Sequence, residues 1–295
     1  MELRELEYFL AIAKERNITA AAKSLHLSQP ALTRQLKLLE SELGTQLVIR
    51  GNRHLTLTED GMMLRKRAED VMRLLERTQN ELRHTNETIS GDIYICAGET
   101  EGVHFLTRAA KRLRDRFPEV RFHISSGDTG DVIEELDKGM LDFGLIFSPF
   151  DGTRYESLPV PFYDTWGVLM RKDSELARKE RIKAADLIGK PLIVPRSSVS
   201  QSIDEGFLGL NPDQIDIAAT YSLIYNASIM VSDGLGYALC LDRILNLTGV
   251  TELCFRQFSP EKKAGMNVIW KRYQVMPRAA QAFLKELQSP VEQMN

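Results

Sequence analysis

The chain has 295 residues, 43% of them hydrophobic and 27% charged, with a formal net charge of −3. That length predicts about two or three domains, and the near-balance of charge excludes binding nucleic acid through the field of the whole molecule, so any such contact has to be local. Neither a basic leader with an apolar core nor an apolar run of about 18 residues occurs, so secretion and membrane spanning are not expected and a cytoplasmic location is.

Leu3, Leu6, Phe9, Leu10 and Ala13 recur at helical spacing and predict a first helix that stops near Asn17. Residues 18–36 then hold two short helical patterns around a tight turn. Ala20, Ala21 and Ala22 keep the first slim enough for close crossing. Ser28 suits the N-cap of the second, and Pro30 falls in its first turn, where a missing donor costs little. Leu32, Leu36, Leu39 and Leu43 form the inward stripe, which turns Gln29, Thr33, Arg34 and Lys37 outward. Gln pairs bidentately with adenine, Arg with guanine, and Thr serves polar edges or a thymine methyl. The bland reading of such a face is a solvated helix; the alanine-rich turn before it favours a helix-turn-helix that reads DNA.

Residues 46–50 and 55–57 predict a two-stranded hairpin around Gly51-Asn52-Arg53-His54, a wing. Arg53 at its tip suits a narrow minor groove and Arg50 suits phosphates. Between Lys23 and His54 five bases stand against two acids. So small a surplus per subunit implies pairing of two such surfaces.

From the expected N-cap Thr58, residues Leu64, Ala68, Val71, Leu75, Thr78, Leu82, Thr85 and Ile89 alternate spacings of four and three. This heptad seam predicts a long helix over 58–90 that joins two copies into a homodimer. Packing within one domain is the alternative. The helix would be about 48 Å long at roughly 1.5 Å per residue.

Ser90-Gly91-Asp92 breaks that pattern. Strands are predicted over 93–97, 120–125, 142–147, 167–170, 192–195, 215–220 and 237–241, with helices over 103–117 and 129–138 and near Ser202 and Ser222. The alternation implies an α/β fold of two lobes with a cleft between them.

The first ninety residues resemble the DNA-binding region of LysR-type transcriptional regulators. The likeness rests on Ala21-Ala22, Leu25, Ser28-Gln29-Pro30-Ala31, Arg34-Gln35-Leu36, Leu39-Glu40, Leu43-Gly44, and Leu57-Thr58 with Gly61. Val48 stands where the family usually has an aromatic. The remainder is similar to the same family's periplasmic-binding-protein-like effector domain, through Gly91-Asp92-Ile93, Phe117-Pro118-Glu119-Val120, Gly139-Met140-Leu141-Asp142 and Val231-Ser232-Asp233-Gly234-Leu235-Gly236.

The resemblance implies a winged helix-turn-helix domain over 1–57, a dimerising linker helix over 58–90 and an effector-binding domain over 91–295. Its lobes would be about 91–161 with 267–295, and 162–266. It further implies promoter DNA and a small-molecule effector as partners, and a homotetramer made of dimers. The DNA-binding set is Ser28, Gln29, Pro30, Thr33, Arg34, Lys37, Arg50 and Arg53. Thr100, Thr129, Ser148, Arg196, Ser197 and Ser198 match positions that line the family's effector cleft, with Tyr225 at one wall. Glu99, Glu101 and Asp128 crowd the side opposite Arg196, so the expected effector is zwitterionic or acidic. Acids that simply face solvent are the bland alternative.

No nucleophile elbow, phosphate-binding loop or metalloprotease motif occurs, and the five histidines are scattered, so no enzyme and no cofactor are expected. Cys96, Cys240 and Cys254 lack metal-ligand spacing and read as buried thiols, with redox sensing as the minority idea. The alternatives to a regulator are a sequence-nonspecific architectural DNA binder and an enzyme-like two-lobed domain on a DNA anchor.

Overall fold

Why the N-terminal helices form is visible in their caps. The computed structural model describes residues 1–51, 55–83, 89–147, 150–196 and 209–289. It divides into two units, residues 1–85 and 86–295. Glu2 and Glu5 close a capping box on α1 (Leu3–Glu15), which buries Leu6, Phe9, Ile12 and Ala13. Arg16 turns left-handed and ends α1, and the next residue, Asn17, caps α2 (Ile18–Ser24) by accepting from the N–H groups of Thr19 and Ala20. Ser28 caps α3 (Gln29–Leu43) by accepting from the Ala31 N–H. Leu32, Leu36 and Leu39 are buried as expected, whereas Leu43 is 40% exposed. It stands at the last helical position, where Gly44 at φ 68° leads the chain away from the core.

The wing strands β1 (Val48–Arg50) and β2 (Leu55–Leu57) pair antiparallel, with Arg50 opposite Leu55. The ladder is shorter than the expected 46–50 because Leu47 and Val48 donate their N–H groups to Glu40 of α3, at 2.8 and 3.3 Å. Val48, in place of the usual aromatic, is buried in the core of this unit.

Thr58 caps α4 (Glu59–Arg83) through the Gly61 N–H at 2.9 Å. The heptad expectation needs correction at both ends. Leu64 packs into the helix-turn-helix core and Ala68 is 1% exposed, whereas Val71 and Leu74 are both 42% exposed. Ile89 belongs to the core of the second unit, because the Ser90-Gly91-Asp92 break has already drawn the chain toward its first strand. Thr85 lies outside the described residues.

In the second unit the strands are β3 (Gly91–Ala97), β4 (Val120–Ser126), β5 (Phe143–Phe147), β6 (Tyr155–Arg171), β7 (Pro191–Pro195), β8 (Asp216–Tyr221), β9 (Tyr237–Leu241), β10 (Leu253–Gln257) and β11 (Lys263–Lys271). They run in the order β4-β3-β5-β11-β6-β9-β7-β8, with β10 paired to β6. The helices are α5 (Val103–Arg116), α6 (Thr129–Asp137), α7 (Ile224–Ser232) and α8 (Arg278–Gln288).

Parallel pairing of β3 with β4 and β5 makes one lobe, and that of β7 with β8 and β9 the other. Strand β6 is far longer than the expected 167–170. It pairs with β11 up to Thr165 and with β9 from Trp166, so one strand crosses from lobe to lobe and β11 lies beside it at the crossing. Pro159 and Pro161 hide its first half from a pattern reading. The helix expected near Ser202 lies outside the described residues. Faces of α5 and α8 cover one side of the first lobe's sheet, and α6 covers the other.

Candidate functional site

The exposed face of α3 is assembled by three local devices: the Ser28 cap, Pro30 in the first turn, and the buried leucine stripe behind. Gln29, Pro30, Arg34 and Lys37 are exposed and Thr33 is half-buried. Together with Leu38 they line a shallow surface depression of ≈ 500 Å³. Gln29 Nε2 donates to Thr33 Oγ1 at 2.9 Å. That bond fixes the amide's orientation and leaves its carbonyl oxygen and second N–H outward. Arg50 lies in β1; its side chain and all of Arg53 are outside the described residues. Sequence reading gives Glu40 no structural role, yet it ties the wing to α3 by accepting from the Leu47 and Val48 N–H groups.

The second site is a cavity of ≈ 280 Å³ at the carboxyl ends of β3 and β4, where open α/β sheets receive ligands. Thr100 and Glu101 line it together with Gly98, Glu99, Ser125 and Ser126, and Ile244 enters from the other lobe. Ser125 and Ser126 end a parallel strand, a signal that the loop-centred reading passed over.

Glu99 Oε2 accepts the N–H of Ile224, the first residue of α7, at 2.5 Å. Thr100 donates its hydroxyl to Asp164, a fully buried carboxylate on β6, and accepts from the Gly102 N–H at 3.0 Å. Burial pushes the Asp164 carboxyl up, and the Thr100 hydrogen bond and Arg243, at 3.4 Å, act against it. Asp164 sits in mid-strand with no motif around it, and nothing in the sequence marks it.

Arg196, just beyond β7, reaches Asp128 at 3.3 Å and Asp131 at 3.4 Å. Asp128, rather than Thr129, caps α6, in a reciprocal box with Asp131. Thr129 follows as the first helical residue and does not line the cavity. Tyr225, expected at one wall, is 67% exposed and also does not line it. Ser148, Ser197 and Ser198 lie outside the described residues. Among the described residues, no cluster suited to hold a metal ion occurs and no helix is long and apolar enough to cross a membrane.

A helix-turn-helix with a wing and a long helix is followed by a two-lobed α/β module crossed twice by the chain. Residues 3–62 match the model of the bacterial regulatory helix-turn-helix proteins of the lysR family, and residues 86–290 match that of the LysR substrate binding domain. The chain belongs to the LysR family.

Among curated relatives it is 31% identical over 195 residues to the DNA-binding transcriptional dual regulator OxyR of Escherichia coli K12. That alignment covers 66% of this chain and 63% of OxyR, less than two thirds of the relative's length. With the Hca operon transcriptional activator HcaR of the same strain it shares 27% identity over 286 residues, 94% of each chain. The full-length structure of CbnR in complex with its target DNA superposes with a TM-score of 0.73 at 20% identity, covering 98% of this chain and 99% of CbnR, a likeness of fold.

Proposed function

We propose that this protein is a cytoplasmic, ligand-responsive regulator of transcription, without enzymatic activity. In this reading it binds an inverted repeat in promoter DNA as an oligomer and takes a small-molecule effector between its lobes. The observation that carries the reading is the face of α3, where Gln29, Thr33, Arg34 and Lys37 stand side by side on a capped helix end. Base-edge readers belong at the N-terminal end of a recognition helix. Val71 and Leu74, exposed on α4, supply apolar surface for a second copy. Paired dimers would complete a tetramer.

The curated relatives include proteins named hydrogen peroxide-inducible genes activators. A thiol-based peroxide response does not suit this chain. Its three cysteines are all buried, and burial raises the pKa of each, which keeps them as unreactive thiols. The reading is therefore of an effector bound without thiol chemistry.

The test is selection of bound fragments from random genomic DNA at fixed salt, followed by footprinting. An inverted repeat with both half-sites on one DNA face is expected. Arg34→Ala should cost about 1–3 kcal/mol on the selected site and relax preference there, whereas Arg50→Ala should weaken binding to all sequences alike. Equal losses on specific and random DNA for both variants would refute this division. Enrichment without any motif would overturn the reading in favour of an architectural role.

A further inference from the structure

We infer that the effector taken by the inter-lobe cavity is a cation, an amine or guanidine of small-metabolite size, rather than a carboxylate. This rests on the functional reading above and concerns the chemistry of the same cleft. An acidic ligand needs donors: a free helix N-terminus, an available guanidinium, or both. Here the protein has already used them.

At the start of α5 the N–H of Gly102 goes to Thr100 Oγ1, and those of Val103, His104 and Phe105 go to the carbonyls of Thr100, Glu101 and Gly102. The Asp128 carboxylate covers the N-terminus of α6, and the Glu99 carboxylate, carried across from the other lobe, covers that of α7. Arg196 is held between Asp128 and Asp131. Among the described residues, these three helix starts and Arg196 are thus already met by a carboxylate or a carbonyl of the chain itself.

What the cavity offers is acceptors. Glu99 and Glu101 line it, and neither lysine nor arginine is among its described lining residues. Residues 197–208, outside the described set, contain no lysine or arginine in their sequence, so no base can be contributed from there. The His104 ring lies 3.9 Å from Glu101, exposed on α5, and Arg243, beside the lining residue Ile244, is engaged by Asp164 and Asp242. Two carboxylates, Glu99 and Glu101, in a partly enclosed space with no lysine or arginine among its described lining residues favour a cation over an acid. Ser125 and Ser126 add hydroxyls along one wall, and Ile124, Val103 and Ile244 supply apolar surface for a short carbon chain.

The experiment uses the full-length protein and follows thermal unfolding, then calorimetric titration, with putrescine, cadaverine and agmatine set against succinate and benzoate. At least one of the three cationic probes should stabilise the protein in a concentration-dependent way. Glu101→Gln should weaken that probe about tenfold or more, the loss of one charged contact, while Arg196→Gln leaves it as tight or tighter. Unfolding of each variant without ligand, in the same scan, separates a folding defect from a binding defect. Stabilisation by succinate or benzoate that Arg196→Gln removes would overturn the inference, as would no response to any of the three cations. Footprints of the same preparations on the selected DNA keep the two readings apart. Sequence-specific binding retained with no cation response sinks only the ligand class, whereas loss of specific binding sinks the functional reading itself.

Discussion

Glu99, on the loop that leaves β3, caps the first turn of α7 by accepting the Ile224 N–H, and the two residues belong to different lobes. Leu223, the residue at the N-cap position, offers no side-chain cap of its own. A carboxylate at a helix N-terminus is favoured by both the open N–H and the helix dipole. This contact therefore links the two lobes while it caps α7.

Glu99→Ala removes the cap and leaves the Ile224 N–H without its partner. The expected loss is about 1–2 kcal/mol, or roughly 2–8 °C in the melting temperature of the second unit. Thermal unfolding of the variant checks this. A melting temperature equal to that of the parent would show that the contact contributes nothing in solution.

Asp92 on β3 is 8% exposed, and it accepts Arg121 at 2.8 and 3.0 Å and His123 Nε2 at 2.9 Å from β4. Burial alone would raise its carboxyl; the bonds from Arg121 and His123 outweigh it and hold the group below its ordinary value of 3.8. The unfolded chain thus binds this proton more readily than the folded one. The stabilisation is complete above the ordinary value and is lost as pH falls through the lower folded one. Asp92→Asn should cost about 1–2 kcal/mol at neutral pH and less toward pH 3, read from denaturant unfolding as a function of pH. A constant difference across that range would contradict it.

Gly61 packs α4 against the segment that enters the wing. A Cβ there would meet the Leu47 carbonyl oxygen at 2.1 Å and its carbon at 3.0 Å. Both atoms are backbone, and that carbonyl also accepts the Thr58 N–H at 3.0 Å, so neither side can yield cheaply. Gly61→Ala is expected to destabilise the first unit by about 1–3 kcal/mol and to weaken DNA binding through displacement of the wing. Unfolding and DNA titration of one preparation test both. An affinity that stays unchanged despite lower stability would dissociate the wing from this contact.

Cys96, Cys240 and Cys254 should resist alkylation by iodoacetamide in the native protein and react on unfolding, because burial opposes the thiolate at each. Hydrogen peroxide at concentrations that oxidise exposed thiols should leave the footprint on selected DNA unchanged. A peroxide-dependent footprint abolished by a single Cys→Ala change would reverse this.

The helix-turn-helix unit was legible in the chain because its instructions are local. Ser28 caps a backbone N–H three residues on, Asn17 caps those two and three residues on, and Gln29 meets Thr33 four residues away. Caps, an alanine-lined crossing and a leucine stripe can all be read from spacing. The heptad pattern of α4 was read from spacing too, yet spacing does not say which partner a stripe meets. Leu64 meets the core of its own unit, and Ile89 belongs to another core altogether.

The alternation of strands and helices likewise fixed the two-lobed class and the loops worth watching, since parallel strands place their carboxyl ends together. The character of the cleft was decided by tertiary structure. Arg196 looked available as an anion clamp until the fold brought it to Asp128 and Asp131, 68 and 65 residues earlier. Glu99 finds its helix 125 residues later, and Thr100 its buried carboxylate 64 residues on. Partners so distant leave no periodicity in the sequence. Their meeting follows from the crossing of β6 and β11 between lobes, which brings residues far apart in the chain to one cleft.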